Sequence, residues 1–417
     1  MSISSNTITF IILFALSGDF LINMVANHLN IKNISANLPK EFIGWYDKKK
    51  YEKSQLYLKT TTKFGQISSC FDIILLLAFW FFNGFPILDS FVKSFGFNIT
   101  ITGLLYIFIL GFAKFILSLP FSIYSTFVIE EQFGFNKTKP LLFIIDIIKS
   151  IVLSTIIGGA LLSIILLFFE YAGENAWFIC WIATTVIILL LQYIVPVWIL
   201  PLFNKYTPLK HGELRSAIFK YAESIEFSLK NIFVMDGSKR STKSNAFFTG
   251  FGKNKRIVLF DTLIKEHTTN ELVAILAHEM GHFKKKHILK NLSLTIMQMG
   301  IMFYLLSFFI SYQTLFDVFS MNDVSVYAGL IFFSMLYSPI DFILSALMNI
   351  LSRKDEFEAD GFAFETFAHA ESLIDALKRL SVNNLSNLTP HPFYVFLNYS
   401  HPPVLNRIIV LNNLKKS

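Results

Sequence analysis

Seven apolar stretches constrain this chain more than anything else in it. They lie near 7–27, 65–88, 99–122, 141–169, 177–202, 292–312 and 326–351. An α-helix needs about 20 apolar residues to cross a bilayer. Within lipid each backbone polar group must be satisfied inside its own segment, so the stretches predict a mostly α, seven-helix transmembrane bundle. Composition agrees: 53% of the 417 residues are hydrophobic and 16% are charged, against about a quarter charged in soluble domains. Cys70 and Cys180 both fall in apolar stretches. They read as buried apolar side chains rather than a disulfide framework or a zinc knuckle. No Lys or Arg precedes the first stretch, so it lacks the charged start of a secretory signal.

Charge is distributed as a topology signal. Segments 31–63, 119–140, 204–291 and 352–417 hold 33 of the 36 basic residues, while the alternating loops 89–98, 170–176 and 313–325 hold only Lys93. Those loops carry Asp89, Glu170, Glu174, Asp317 and Asp323 instead. The positive-inside rule then places the N-terminus outside and both 204–291 and the C-terminus in the cytoplasm. The net charge of +7 is therefore not a nucleic-acid signal, and no nucleic-acid partner is expected. Asp19, Asp72, Lys114, Asp146, Lys149 and Asp341 fall inside the spans. They either face a water-filled interior or snorkel near span ends, and Asp146 and Lys149 could pair with each other.

The pattern divides the chain into 1–203 (five spans and their loops), 204–291 (a large cytoplasmic region), 292–351 (two spans) and 352–417 (a cytoplasmic tail). Segment 119–140 reads as an amphiphilic connector at the membrane face, with Glu130 and Glu131 as a solvated pair. In 204–291 a helix near 212–227 precedes strands at 231–235, 245–249 and 256–260, with a turn at Asp236–Ser238 and another around Gly250, Gly252 and Asn254. A small sheet thus stands just upstream of His278-Glu279-Met280-Gly281-His282.

That pentapeptide is an HExxH motif. Thr268 and Glu271 form a capping box, and Leu272, Ile275, Leu276 and Met280 repeat at helical spacing. On that helix His278 and His282 share one face and can take two corners of a tetrahedral zinc site, with Glu279 beside them to accept a proton from water. A third protein ligand is needed. His287 lies about 500° of continuous helix past His282 and reads as a surface residue among Lys284, Lys285, Lys286 and Lys290. Glu356 and Asp360, one turn apart directly after the seventh span, suit the role better: one can bind the metal while the other orients a ligand histidine. The HExxH helix leads into span six and the Glu356 helix continues span seven, so packing those two spans together would complete the site.

At this point the chain resembles the CAAX prenyl protease 1 family, the Ste24-type integral-membrane zinc metalloproteases of peptidase family M48. The matching residues run in order. They are Leu119-Pro120-Phe121 through Glu130-Glu131 and Gly134-Phe135-Asn136, then Pro201 to Lys205 with Thr207-Pro208-Leu209. Next come Asp236 to Arg240, Ser244 to Phe248 and Gly250-Phe251-Gly252, then HEMGH. Last are Ser352-Arg353 with Glu356 to Asp360, and Ser400-His401-Pro402-Pro403 with Arg407. The resemblance implies one Zn2+ per chain held by His278, His282 and Glu356, and Glu279 as general base. It also implies His401 as a stabiliser of the tetrahedral intermediate and Asp360 and Arg407 as supports of the site. Asn245, Ala246, Phe247 and Phe248 are the implied substrate-facing strand.

The implied fold is seven spans around a closed, water-filled chamber, with a cytoplasmic gluzincin-type domain carrying a small β-sheet. The implied substrate is a peptide with a prenylated or hydrophobic C-terminal region, cut at the membrane. Loop 313–325 and the tail are short beside eukaryotic members, which favours a bacterial inner membrane over an endoplasmic-reticulum or nuclear-envelope home. Two other readings remain distinguishable. A quality-control protease of the HtpX type would share the zinc chemistry with fewer spans, and a transporter or lipid-binding protein would have no use for His278, His282 or Glu356. An intramembrane protease of the site-2 type is disfavoured, because HEMGH is followed by Lys284–Lys286 rather than by lipid-buried residues.

Overall fold

The computed structural model describes residues 4–249, 256–369 and 371–415. Among them, seven helices are long and apolar enough to cross a membrane: Ser5–Lys32, Lys48–Phe81, Ile99–Glu130, Pro140–Tyr171, Gly173–Phe203, His287–Phe309 and Val326–Thr366. Phe10, Phe14, Ile144, Ile148, Leu190 and Phe308 are among the large apolar side chains they expose, as a lipid-facing surface requires.

The second span departs from its expected bounds. Its helix starts at Lys48, capped by the Asp47 carboxylate accepting the Lys50 N–H at 2.8 Å. It ends at Phe81, where Asn83 turns left-handed at φ 57°. The stretch 65–88 therefore straddles a break, and Gly84–Lys93 is a separate short helix. The third span does not stop near 122 either. It continues through Pro120 and loosens into a π-helical turn at Ser125–Glu130.

The charges within the spans find partners, though not the expected ones. Asp146 receives Arg240 Nε and Nη2 at 2.8 and 2.9 Å, and Lys149 donates to the Leu202 carbonyl at 2.7 Å, so the two do not pair with each other. Asp72 pairs with Lys114. Glu130 is no solvated residue: it accepts from Lys243 at 2.9 Å and from Tyr57 at 2.5 Å. Arg240 and Lys243 thus tie the loop that precedes the strand Ala246–Thr249 to spans two, three and four.

Packing is dense at the two ends of the bundle and sparse between them. One core gathers Trp80, Phe85, Tyr106, Phe316, Phe319, Tyr327 and Phe332 at one end. The other gathers Phe42, Tyr51, Ile218, Ile257, Leu259, Leu272, Leu276, Met280 and Ile408 around the HExxH helix. Between them, Asp19, Asn23, Asn27, Ser69 and Asp72 of spans one and two line a cavity of about 310 Å³. Polar side chains of spans one and two thus face a common cavity.

The sheet has four strands, β1 (Tyr206–Pro208), β2 (Asn231–Met235), β3 (Ala246–Thr249) and β4 (Arg256–Phe260), in the order β1-β2-β4-β3. β2 and β4 are parallel and the outer pairs antiparallel. β3 is therefore an edge strand. The expected turn at Gly250, Gly252 and Asn254 lies outside the described residues.

Candidate metal centre

The HExxH helix spans Thr269–Lys284. Thr268 accepts the Glu271 N–H, and the Glu271 carboxylate accepts the Thr268 N–H at 2.8 Å. This reciprocal cap satisfies two N–H groups at the helix start, and Arg379 donates to the same carboxylate at 3.0 Å. Below it the helix buries Leu272, Leu276 and Met280 in the core, which fixes the rotation that turns His278 and His282 toward span seven.

The half-sites meet differently from the sequence expectation. The HExxH helix does not run on into span six, because Lys286 takes a left-handed φ of 60° and a new helix begins at His287. Contact with span seven is direct. A Cβ on Gly281 would stand 3.1 Å from the Ala359 carbonyl oxygen and 3.2 Å from its Cα. Two small residues thus let the backbones approach, and that approach brings Glu356 between the histidines.

The resulting geometry is compact. His278 Nε2 and His282 Nε2 lie 3.1 Å apart, with Glu356 oxygens 3.4 Å from the first and 3.2 Å from the second. Ligand atoms at 2.0–2.2 Å on a tetrahedral zinc ion stand about 3.3–3.5 Å apart. Glu356 Oε2 is buried without a hydrogen bond and has only Arg407 Nη1, at 3.5 Å, as counter-charge, a state that a bound cation would improve. The donor set therefore fits a metal ion.

Supporting groups surround these ligands. Asp360 Oδ1 lies 2.9 Å from His278 Nδ1, and Arg407 donates to both Asp360 oxygens at 2.8 and 2.6 Å. Asp360 is wholly buried. Burial and Arg407 both pull His278 down, but Asp360 and Glu356 outweigh them and raise it to about 9. Burial pushes the Glu279 carboxyl above its ordinary value against the opposing pull of His278 and His282. His401 brings Nε2 to 3.3 Å from Glu356 Oε1 and Nδ1 to 2.9 Å from Ser400 Oγ. Burial lowers its pKa, which favours the neutral ring.

Asn245 to Phe248 reach the site less directly. β3 packs on the HExxH helix, with the Phe248 ring against Phe283 and Phe227. Phe247 lies near Phe260, and Asn245 is exposed. One residue was misjudged from sequence: His287 is buried, its Nδ1 3.2 Å from His282 Nδ1. The helix break at Lys286 invalidates the rotation counted along a continuous helix. The signal available was the run Lys284–Lys286, where a helix can end.

Comparison with known proteins bears on the whole chain. Residues 27–205 match a family model described as CAAX prenyl protease N-terminal, five membrane helices, and residues 208–415 match peptidase family M48. The chain belongs to the CAAX prenyl protease 1 family. A rice CAAX prenyl protease 1 homolog is 37% identical, covering 90% of this chain and 90% of its own length. The human homolog is 33% identical, covering 93% and 91%, and the Saccharomyces cerevisiae protein is 34% identical, covering 90% and 88%. Among solved structures, S. mikatae Ste24p superposes with a TM-score of 0.90 at 32% identity, over 97% of this chain and 98% of that one. This CAAX prenyl protease 1 family member is thus a multi-pass integral-membrane metalloendopeptidase whose spans enclose a chamber. The relatives named are eukaryotic, so they lend no support to the expected bacterial membrane.

Proposed function

We propose that the protein is a zinc endopeptidase that cleaves near the C-terminus of prenylated CAAX-type peptides, with its active site on the cytoplasmic side. The observation that carries the zinc assignment is the triangle of His278, His282 and Glu356, whose facing atoms lie within 3.4 Å of one another. The names of the relatives support the substrate class.

A zinc ion bound there would act as a Lewis acid, acidifying water and polarising the scissile carbonyl. The protein's own residues do the rest. Glu279, one residue from His278, accepts the proton of the attacking water and returns it to the leaving amine. A carboxyl raised by burial exchanges that proton more readily near neutral pH. His401 donates Nε2–H to the oxygen that becomes negative, while Ser400 holds its Nδ1. Asp360 and Arg407 keep His278 oriented.

Substrate backbone pairs with the free edge of β3. The Phe260 N–H donates to the Asn245 carbonyl at 3.1 Å. Alternation along an antiparallel pair then turns the main-chain groups of Ala246 and Phe248 to the open side. Asn245 covers the Ala246 N–H with its own side-chain oxygen at 2.9 Å, and an incoming peptide carbonyl replaces that contact.

Turnover of a farnesylated CAAX peptide by the purified full-length protein tests the reading. Glu279→Gln is expected to keep one zinc per chain and lose about 10²–10⁴-fold in turnover. Retained turnover in that variant, or cleavage of an unfolded membrane protein in preference to the prenylated peptide, would overturn it.

A further inference from the structure

Five residues past His282 stands a second cluster that the mechanism does not use. The left-handed turn at Lys286 folds His287 back against the metal centre. Its Nδ1 lies 3.2 Å from His282 Nδ1, and its Nε2 lies 3.2 Å from Glu358 Oε2 and 3.8 Å from Asp355 Oδ1. His287 and Asp355 are buried at 3% and 2% exposure. The three side chains are close enough to hold a cation of their own.

Proton bookkeeping decides between a second metal and a support for the first. His282 turns Nε2 toward His278 and Glu356. A ring nitrogen that binds a metal carries no proton, so neutral His282 carries its proton on Nδ1. That N–H faces His287 Nδ1, which must be bare to accept it. Neutral His287 then holds its own proton on Nε2, where Glu358 accepts it and the Asp355 carboxylate lies nearby. A metal on His287 Nε2 would force a proton onto Nδ1 and set two N–H groups against each other at 3.2 Å. Lys290 also contacts Asp355 Oδ1, so the acidic side of the cluster already carries one positive charge, although Asp355 Oδ2 makes no hydrogen bond.

We infer that His287 is a positioning residue for the metal centre: it accepts the His282 Nδ1–H, passes the constraint to Glu358, and its cluster is not a second metal site. The two ligand histidines are then oriented by different chemistry. His278 gives its Nδ1–H to the Asp360 carboxylate, whereas His282 gives its own to a neutral imidazole. A neutral acceptor leaves His282 less electron-rich than His278, so the two ligands contribute unequally to the metal.

The inference rests on the zinc assignment above, and zinc itself is the readout. The full-length protein would be compared with His287→Leu, His287→Asn and His267→Leu by metal analysis and by competition with a chromophoric chelator. His267 is another buried histidine, with Nδ1 3.1 Å from the Leu263 carbonyl and no contact with the metal centre. His287→Leu is expected to weaken zinc binding about 10–100-fold, whereas His287→Asn, whose side-chain oxygen can accept where Nδ1 did, should recover most of that loss. His267→Leu should lower thermal stability and leave zinc affinity unchanged. Equal affinities for His287→Leu and His267→Leu, or no recovery in His287→Asn, would sink the inference alone. So would two zinc ions per wild-type chain with the second lost in Glu358→Ala. Wild-type protein that binds no zinc would sink the zinc assignment and the inference together.

Discussion

His278 is held between opposing demands. Burial and Arg407 disfavour its charge, yet Asp360 and Glu356 raise it to about 9. Metal binds only the unprotonated ring, so below that value a proton must leave before zinc can enter. Zinc affinity is therefore expected to rise about tenfold per pH unit from pH 6.5 toward 9 and to level off above it. Chelator competition across that range measures the slope, and a flat profile would contradict the raised value. Residue by residue, legibility followed how local the constraint was. His278 with His282, and Glu356 with Asp360, announce themselves because each pair is one turn apart on a single helix face, and Glu279 is read from its place in the motif. His401 does not: its 3.3 Å approach to Glu356 joins a loop to a helix 45 residues away, and only resemblance to a family pointed to it. His287 was legible as a histidine and misplaced by one broken turn.

Between elements, the decisive contact is the crossing of the HExxH helix over span seven. Gly281 costs the helix about 1 kcal/mol relative to Ala, and the close approach to Ala359 is what that cost secures. Gly281→Val would push the helices apart at the point where Glu356 enters. We expect a loss of about 1–3 kcal/mol in stability together with weaker zinc binding, read by thermal unfolding and metal analysis. The edge of β3 carries a separate expectation. Ala246→Pro removes a main-chain N–H from the open side, where proline is tolerated. KM for a CAAX peptide should rise about fivefold, one hydrogen bond's worth, with kcat little changed in steady-state kinetics. Strands β2 and β4 were readable to the residue, because Ile-Phe-Val and Ile-Val-Leu runs leave little choice. β1 was not, since three residues ending in Pro208 carry almost no pattern and pairing with β2 alone defines it. The helix break at Lys286 was equally hidden, because three lysines suit a helix end and a solvated helix face alike.

For the whole molecule, hydropathy was enough to read seven spans, but not the way soluble-looking segments reach into them. Arg240 and Lys243 anchor the sheet region on spans two to four through Asp146, Glu130 and Tyr57. Pairs that cross some hundred residues of sequence leave no periodic trace. One further consequence follows from the helix Val326–Thr366, which runs 41 residues and continues through Pro339. At about 1.5 Å per residue it is about 60 Å long, twice the hydrocarbon thickness of about 30 Å. Its first half lies in the membrane span, packed into the bundle through Tyr327 and Phe332, and its far half carries Glu356 and Asp360. A helix that tilts to match its bilayer must strain the core that Ala363 shares with the HExxH helix, and with it the placing of those two carboxylates against the histidines. Turnover should therefore peak at one acyl-chain length and fall several-fold in thinner or thicker vesicles, while zinc stays bound. Thickness-independent turnover across such a series would show that the far half is decoupled from the near one. The chain would otherwise act as a gauge, its reactivity set by the membrane it happens to occupy.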